Sequence, residues 1–134
     1  MIEVVAAAIV FENHLLAFQR EASKYSYVAN RFEFPGGKVR KDEPQEDSLI
    51  RELKKELDLD IKVGERITIV EHSYKDFSIR MHCYLVHLES FTRLLKEHIN
   101  YFHGSLEDAR QLDWIEVDKP ILDILETNYR HVFS

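Results

Sequence analysis

Apolar positions change their spacing along the chain, and each change predicts an element. Residues 4–11 form a nearly unbroken apolar run and residues 15–18 a second, with only Glu12, Asn13 and His14 between them. A polar break that short predicts a first hairpin, with strand-like sequence from Ile2 onward. Residues 21–31 predict a loop. Residues 32–34 then predict a strand end, since aromatics favour strands and Pro35-Gly36-Gly37 is expected to stop one. Leu49, Ile50, Leu53 and Leu57 recur at i, i+1, i+4 and i+8, which predicts a helix over about residues 45–57 with these four facing the core. Residues 61–72 are strand-like. Phe77, Ile79, Met81, Cys83 and Leu85 alternate with Ser78, Arg80, His82 and Tyr84, the period-2 mark of a half-buried strand, so the turn at 73–76 predicts a second hairpin. Residues 89–100 have no clean periodicity. Residues 106–112 predict a short helix with Ser105 as N-cap and Asp108 at its third position, and Pro120 predicts the first turn of a last helix that Asp118 would cap.

Composition sets bounds on these elements. With 134 residues, 45% hydrophobic and only 4 Gly and 3 Pro, the chain can bury one core and has no linker or low-complexity stretch, so a single domain over 1–134 is expected. No internal repeat is visible. A net charge of −6 argues against a nucleic-acid duplex or an anionic membrane as partner, because polyanions are met by clustered Lys and Arg. No apolar run reaches the length of a membrane span, no basic leader precedes Ile2, and Cys83 is the only cysteine, so a reducing cytoplasm is the expected setting. Cys83 lies in an alternating apolar run and reads as a buried, inert thiol.

The candidate chemistry lies between residues 37 and 59. Gly37, Glu43, Arg51, Glu52 and Glu56 are spaced so that several carboxylates gather beside one glycine turn. Glu52 and Glu56, four apart, form a stripe on the flank of the leucine face. Hard divalent cations take several oxygen ligands, commonly a few carboxylates together with substrate phosphates. On an ordinary solvated helix the same glutamates would only pair with lysines, and Pro35-Gly36-Gly37 alone would only be a turn. Other chemistries have less support. His82 and His87 differ by an odd number on one strand, no Cys-x-x-Cys or His-x3-His pair exists, and no Gly-x-Ser-x-Gly elbow is present.

Taken together, these intervals resemble the Nudix box, G-x5-E-x7-R-E-U-x-E-E-x-G-U with U aliphatic. Gly37, Glu43, Arg51, Glu52, Leu53, Glu56 and Leu59 agree with it, while Lys55 replaces the first glutamate of the pair and Asp58 the last glycine. Asp tolerates the left-handed conformation a helix end needs. Lys55 removes a carboxylate and places a cation beside the metal. The likeness extends to the MutT-like nucleoside triphosphate pyrophosphohydrolases through Arg20, residues 29–38, Lys96-Glu97 and residues 118–121. It implies an α+β fold, an α/β/α sandwich with a curved mixed sheet between helices. It further implies a Mg2+-dependent hydrolase, with Mn2+ as a substitute, that cleaves a nucleoside triphosphate to the monophosphate and pyrophosphate. By the same likeness Gly37, Glu52, Glu56 and Glu97 hold the metal, and Glu52, Glu56 and Glu97 are the catalytic carboxylates, with Glu52 as base or principal ligand. Glu43 and Arg51 are structural, Arg51 pairing with Glu43 or orienting a catalytic carboxylate.

The same resemblance implies that recognition of the small-molecule nucleotide would fall to Arg20, Phe34, Lys38 and Asp118. Lys38, beside the turn, would meet a phosphate. Asp118 stands where the MutT-like branch carries an Asn; as a carboxylate it would favour cytosine or guanine-type bases with donor groups, or it is only a helix cap. An oxidised purine and a cytidine nucleotide both fit. Two alternatives stay open: a Nudix hydrolase of another nucleoside diphosphate-linked substrate, and a nucleotide-binding domain whose catalysis Lys55 has weakened. The sequence leaves the oligomeric state open.

Overall fold

The computed structural model describes residues 1–23, 28–93 and 95–133. Residues 24–27 of the expected 21–31 loop lie outside this set, as does Leu94 in the stretch without periodicity. The chain runs β1 (Ile2–Phe11), β2 (His14–Arg20), β3 (Phe32–Glu33), β4 (Gly36–Lys38), α1 (Gln45–Leu57), β5 (Arg66–Ser73), β6 (Ser78–Leu88), β7 (His98–Gly104), α2 (Leu106–Ala109) and α3 (Lys119–Asn128). Short 3-10 turns occupy Glu116–Asp118 and Arg130–Phe133.

The strands form one mixed sheet with the central order β3-β2-β1-β6-β5, to which β4 adds on β1 and β7 on β2. β1 and β6 pair in parallel, from Ile2 opposite Ile79 to Phe11 opposite Leu88, while the other strand pairs among the described residues are antiparallel. Since β6 takes one whole edge of β1, the other edge is shared. β2 pairs with it at Ile9 to Phe11 and β4 at Val4 to Ala6.

Both faces of β1 are buried, which explains its continuous apolar run. Ala6, Ala8 and Val10 pack with Trp114, Ile121 and Leu125 under α2 and α3. Val5, Ala7, Ile9 and Phe11 pack with Leu49, Leu53 and Leu57 of α1. The result is the expected α/β/α sandwich. Each of these leucines is fully buried and contributes about 1.5–3 kcal/mol.

Several expectations change in the fold. Ile50 is 40% exposed, so it does not share the core face of α1; the buried arc runs instead through Ser48, Leu49, Glu52, Leu53, Glu56 and Leu57. Polar residues lie within the buried arc because they line a site. Pro35-Gly36-Gly37 does not end the strand structure, since Gly36–Lys38 resumes as β4. Gly36 is required there because a Cβ would overlap the Val5 carbonyl. β6 alternates only at its start, for His82, Tyr84 and Val86 are buried too where α1 covers the second face. β5 begins at Arg66 rather than 61, and α2 ends at Ala109 rather than 112. β7 emerges partly from the segment without periodicity and owes its existence to pairing with β2. Ser105 does cap α2, accepting from the Asp108 N–H at 3.1 Å, and Asp58 ends α1 with φ 55° and ψ 36°.

Candidate functional site

Helix α1 delivers its glutamates against the β4 turn. Gly37 packs so closely on the Glu52 side chain that a Cβ would overlap the carboxylate, which accounts for a glycine where φ is ordinary. Arg51 spans the entrance: its Nε and Nη2 donate to Glu43 at 3.1 and 3.0 Å, its Nη1 to Glu52 Oε1 at 2.7 Å and its Nη2 to the Lys38 carbonyl at 3.1 Å. The Ser48 hydroxyl adds a 2.6 Å bond to Glu43. The donated bonds from Arg51, then that from Ser48, hold the Glu43 carboxyl down at about 2. Arg51 thus bonds both carboxylates between which the sequence sets it. It pairs with Glu43 and fixes Glu52.

A deeper group lies one turn on. Glu56 is buried, and among the described residues its Oε2 has no hydrogen-bond partner. Burial first, and then repulsion from Glu33, Glu52 and Glu97, pushes its carboxyl up to about 9, against a smaller opposing pull from Lys55. Glu33, from the end of β3, accepts from Arg20 Nη1 at 2.8 Å on one oxygen and stands 2.8 Å from His98 Nε2 on the other. The segment before β7 docks on the end of α1 through a 3.1 Å bond from the Lys96 N–H to the Glu56 carbonyl. That bond brings Glu97 and His98 to Glu56. Lys55 is turned outward to within 3.8 Å of Glu97.

On the other side of Arg20 a cavity of about 520 Å³ opens over β1 and β6, lined among others by Phe34, Tyr74, Met81, Val117 and Asp118. A smaller one of about 300 Å³ is lined by Glu56, Glu97 and His98. Arg20 lines both. Phe34 stacks on Trp114 with ring centroids 4.6 Å apart. Asp118 Oδ2 accepts the Phe34 N–H at 2.9 Å, while buried Oδ1 has no partner among the described residues. Burial raises its carboxyl well above the usual range, only partly opposed by the Phe34 bond. The capping role expected for Asp118 is not realised: its side chain makes no cap bond to α3. Burial in the cavity wall decides this, because Phe34 offers the N–H that a cap would have sought in the helix.

The structure thus gathers Gly37, Glu43, Arg51 and Glu52 at one place, Glu56 and Glu97 beside them, and Arg20, Phe34, Lys38 and Asp118 around the larger cavity. Sequence reading missed Glu33, His98 and Trp114. Glu33 and His98 each sit one residue from a predicted site residue, at Phe34 and Glu97, which was the available signal.

The donor set fits a divalent cation. It combines carboxylates in a low-dielectric pocket, an unpartnered buried oxygen on Glu56 and a glycine cradle against Glu52.

Comparison with known proteins agrees with this geometry. The family described as NUDIX domain matches residues 1–133. The CTP pyrophosphohydrolase of Escherichia coli K12 is 37% identical over 125 residues, spanning 92% of this chain and 90% of that protein. A putative 8-oxo-dGTP diphosphatase 2 of Mycobacterium tuberculosis is 31% identical over 128 residues, spanning 92% and 88%. Among solved structures, the solution structure of the E. coli ORF135 protein superposes with a TM-score of 0.77 at 32% identity, covering 96% of this chain and 93% of that one.

Proposed function

Since this chain belongs to the Nudix family and is a hydrolase of phosphoanhydride bonds in nucleotides, we propose that it cleaves a nucleoside triphosphate to the monophosphate and pyrophosphate with Mg2+. Nudix hydrolases use divalent metal ions. Glu52, Glu56, the Gly37 carbonyl and Glu97 are the residues that would hold Mg2+, with Mn2+ able to replace it. A bound divalent ion offsets the charge that builds on the phosphoryl oxygens and lowers the pKa of its water.

The chain's own residues supply the rest. Arg51 locks Glu52 in place on one oxygen, so that Glu52 is oriented to accept the proton of the attacking water. Water adds to phosphorus, the anhydride bond to the next phosphate breaks, and the pyrophosphate oxygen leaves with the bond's electrons. Lys38 and Arg20 offer positive charge to the phosphates. Phe34, stacked on Trp114, forms an apolar wall for the base, and Asp118 Oδ1 accepts from an amino or imino donor on it. That preference points to cytosine or guanine-type bases, in keeping with relatives named for CTP and 8-oxo-dGTP.

One observation carries this reading. Arg20 lines both the cavity that ends at Asp118 and the pocket that holds Glu56, so a single nucleotide can place its base in one and its phosphates at the other. The test is turnover of a nucleotide panel with Mg2+ or Mn2+, with pyrophosphate and phosphate assayed separately. Pyrophosphate release with a cytidine or guanosine-type triphosphate is expected. Preferential turnover of nucleoside diphosphate-linked sugars, or of dinucleoside polyphosphates, would replace it with the other Nudix reading. The Lys55 to Glu97 pair favours a third result, tight nucleotide binding with little turnover.

A further inference from the structure

Glu33, Glu56 and His98 form a cluster that the sequence motif does not define. All three are buried, and one ligand atom from each lies within 4.8 Å of the other two. Ligands at neighbouring corners of an octahedral ion with bonds of about 2.1 Å stand about 3 Å apart. His98 Nε2 and Glu33 Oε2 already stand 2.8 Å apart.

Two observations besides the clustering point to a ligand there. Glu56 Oε2 is a buried carboxylate oxygen without a partner among the described residues. The other oxygen of Glu33 is held by Arg20 at 2.8 Å, the kind of outer bond that orients a ligating carboxylate. The chain also has a reason to recruit donors from elsewhere. Lys55 occupies a position where the box places a glutamate, and it turns toward Glu97, so α1 supplies one carboxylate fewer. Glu33 from β3 and His98 from β7 bring two donors to the same end of the helix.

The donor types select the ion. Mg2+ is a hard cation that prefers oxygen and keeps its waters, whereas an imidazole nitrogen suits divalent transition ions. We propose that Glu33, Glu56 and His98 form a cation site, sharing Glu56 with the Mg2+ ligands, that selects a divalent transition ion such as Co2+ over Mg2+. His98 Nε2 exchanges its contact with Glu33 for the ion, and the ring proton is carried on Nδ1. The inference rests on the reading of Glu56 as a metal ligand of a Nudix hydrolase, but its test needs no turnover.

The nucleotide-free wild-type protein is loaded with one equivalent of Co2+ and examined by low-temperature pulsed electron paramagnetic resonance, with Co2+ and Mg2+ affinities titrated separately. A directly bonded 14N coupling and Co2+ binding at least about 10-fold tighter than Mg2+ are expected. In His98→Gln the nitrogen coupling disappears and Co2+ affinity falls by at least about 10- to 100-fold, the range already reached on losing a hydrogen-bond partner of a ligand, while Mg2+ affinity changes less than about threefold. Absence of nitrogen coupling in the wild type overturns the proposal, and that measurement does not depend on any variant folding. Equal losses of Co2+ and Mg2+ affinity in His98→Gln overturn it as well. Nitrogen coupling with no nucleotide turnover would break the pyrophosphohydrolase reading and keep this site; turnover without nitrogen coupling would do the reverse.

Discussion

Glu43, just before α1, and Glu56, in its last turn, are the same residue type, yet the protein treats them oppositely. Glu43 takes bonds on both oxygens from Arg51, one more from Ser48, and its carboxyl sits at about 2. Glu56 is walled in among other carboxylates, keeps a bare oxygen, and its carboxyl sits at about 9. A carboxylate whose oxygens are filled by the protein's own donors is part of the scaffold. One that is buried and left short of donors is held for something from outside, because the cost of burying it is recovered only when a cation or proton arrives. Glu52, tied to Arg51 on one oxygen and pressed on Gly37, belongs to both regions.

The sharpest way to break this contrast is to neutralise the carboxylates that the protein's own donors leave short. Glu52→Gln and Glu56→Gln are expected to lower turnover at least about 100-fold, the scale of a lost base or ligand, with little loss of melting temperature because the amide is nearly isosteric. Initial rates with saturating Mg2+ check this; near-native turnover in either variant would remove it from the catalytic set. Asp118→Asn tests the other buried, half-satisfied carboxylate. Keeping the acceptor for Phe34 while adding a donor at the cavity wall is expected to shift the ratio of kcat/KM between cytosine or guanine-type and adenine nucleotides by about 10-fold. An unchanged ratio would leave Asp118 as a tie to Phe34 only, and specificity would lie with Phe34 and Arg20.

A smaller effect is expected at Lys55. Lys55→Glu removes the cation that pairs with Glu97 and restores a carboxylate, so Mg2+ affinity measured by calorimetry should rise by up to about fivefold, the range of one solvent-screened charge pair. Unchanged or weaker binding would mean that Lys55 lies outside the reach of the metal. The smallest effect is expected at the satisfied end. The folded-state value of Glu43 lies below its ordinary 4.5, so its contribution to stability is present above that pH and is lost as the pH falls through about 2. Thermal melts of Glu43→Gln should therefore fall below wild type at neutral pH and converge with it in acid. A gap that stays constant with pH would show that shape, not charge, is what Arg51 holds.

The sequence by itself determined the local and periodic features. The leucine stripe of α1, the β1 to β2 hairpin, the Ser105 cap, the left-handed Asp58 and the box that sets Arg51 between Glu43 and Glu52 all depend on neighbours a few residues away. Only the tertiary structure decided which polar groups are buried together. β7 starts inside a stretch without periodicity, and pairing with the edge of β2 makes it a strand. β6 lost its alternation because α1 covers its second face. Ile50 fell outside the core because the buried arc of α1 turns toward Glu52 and Glu56. The cluster of Glu33, Glu56 and His98, and the bond from Phe34 to Asp118 across 84 positions, join residues that no spacing relates. Periodicity records which face of an element meets the core. It carries no record of which distant element closes over that face, and burial energetics are settled by that closure.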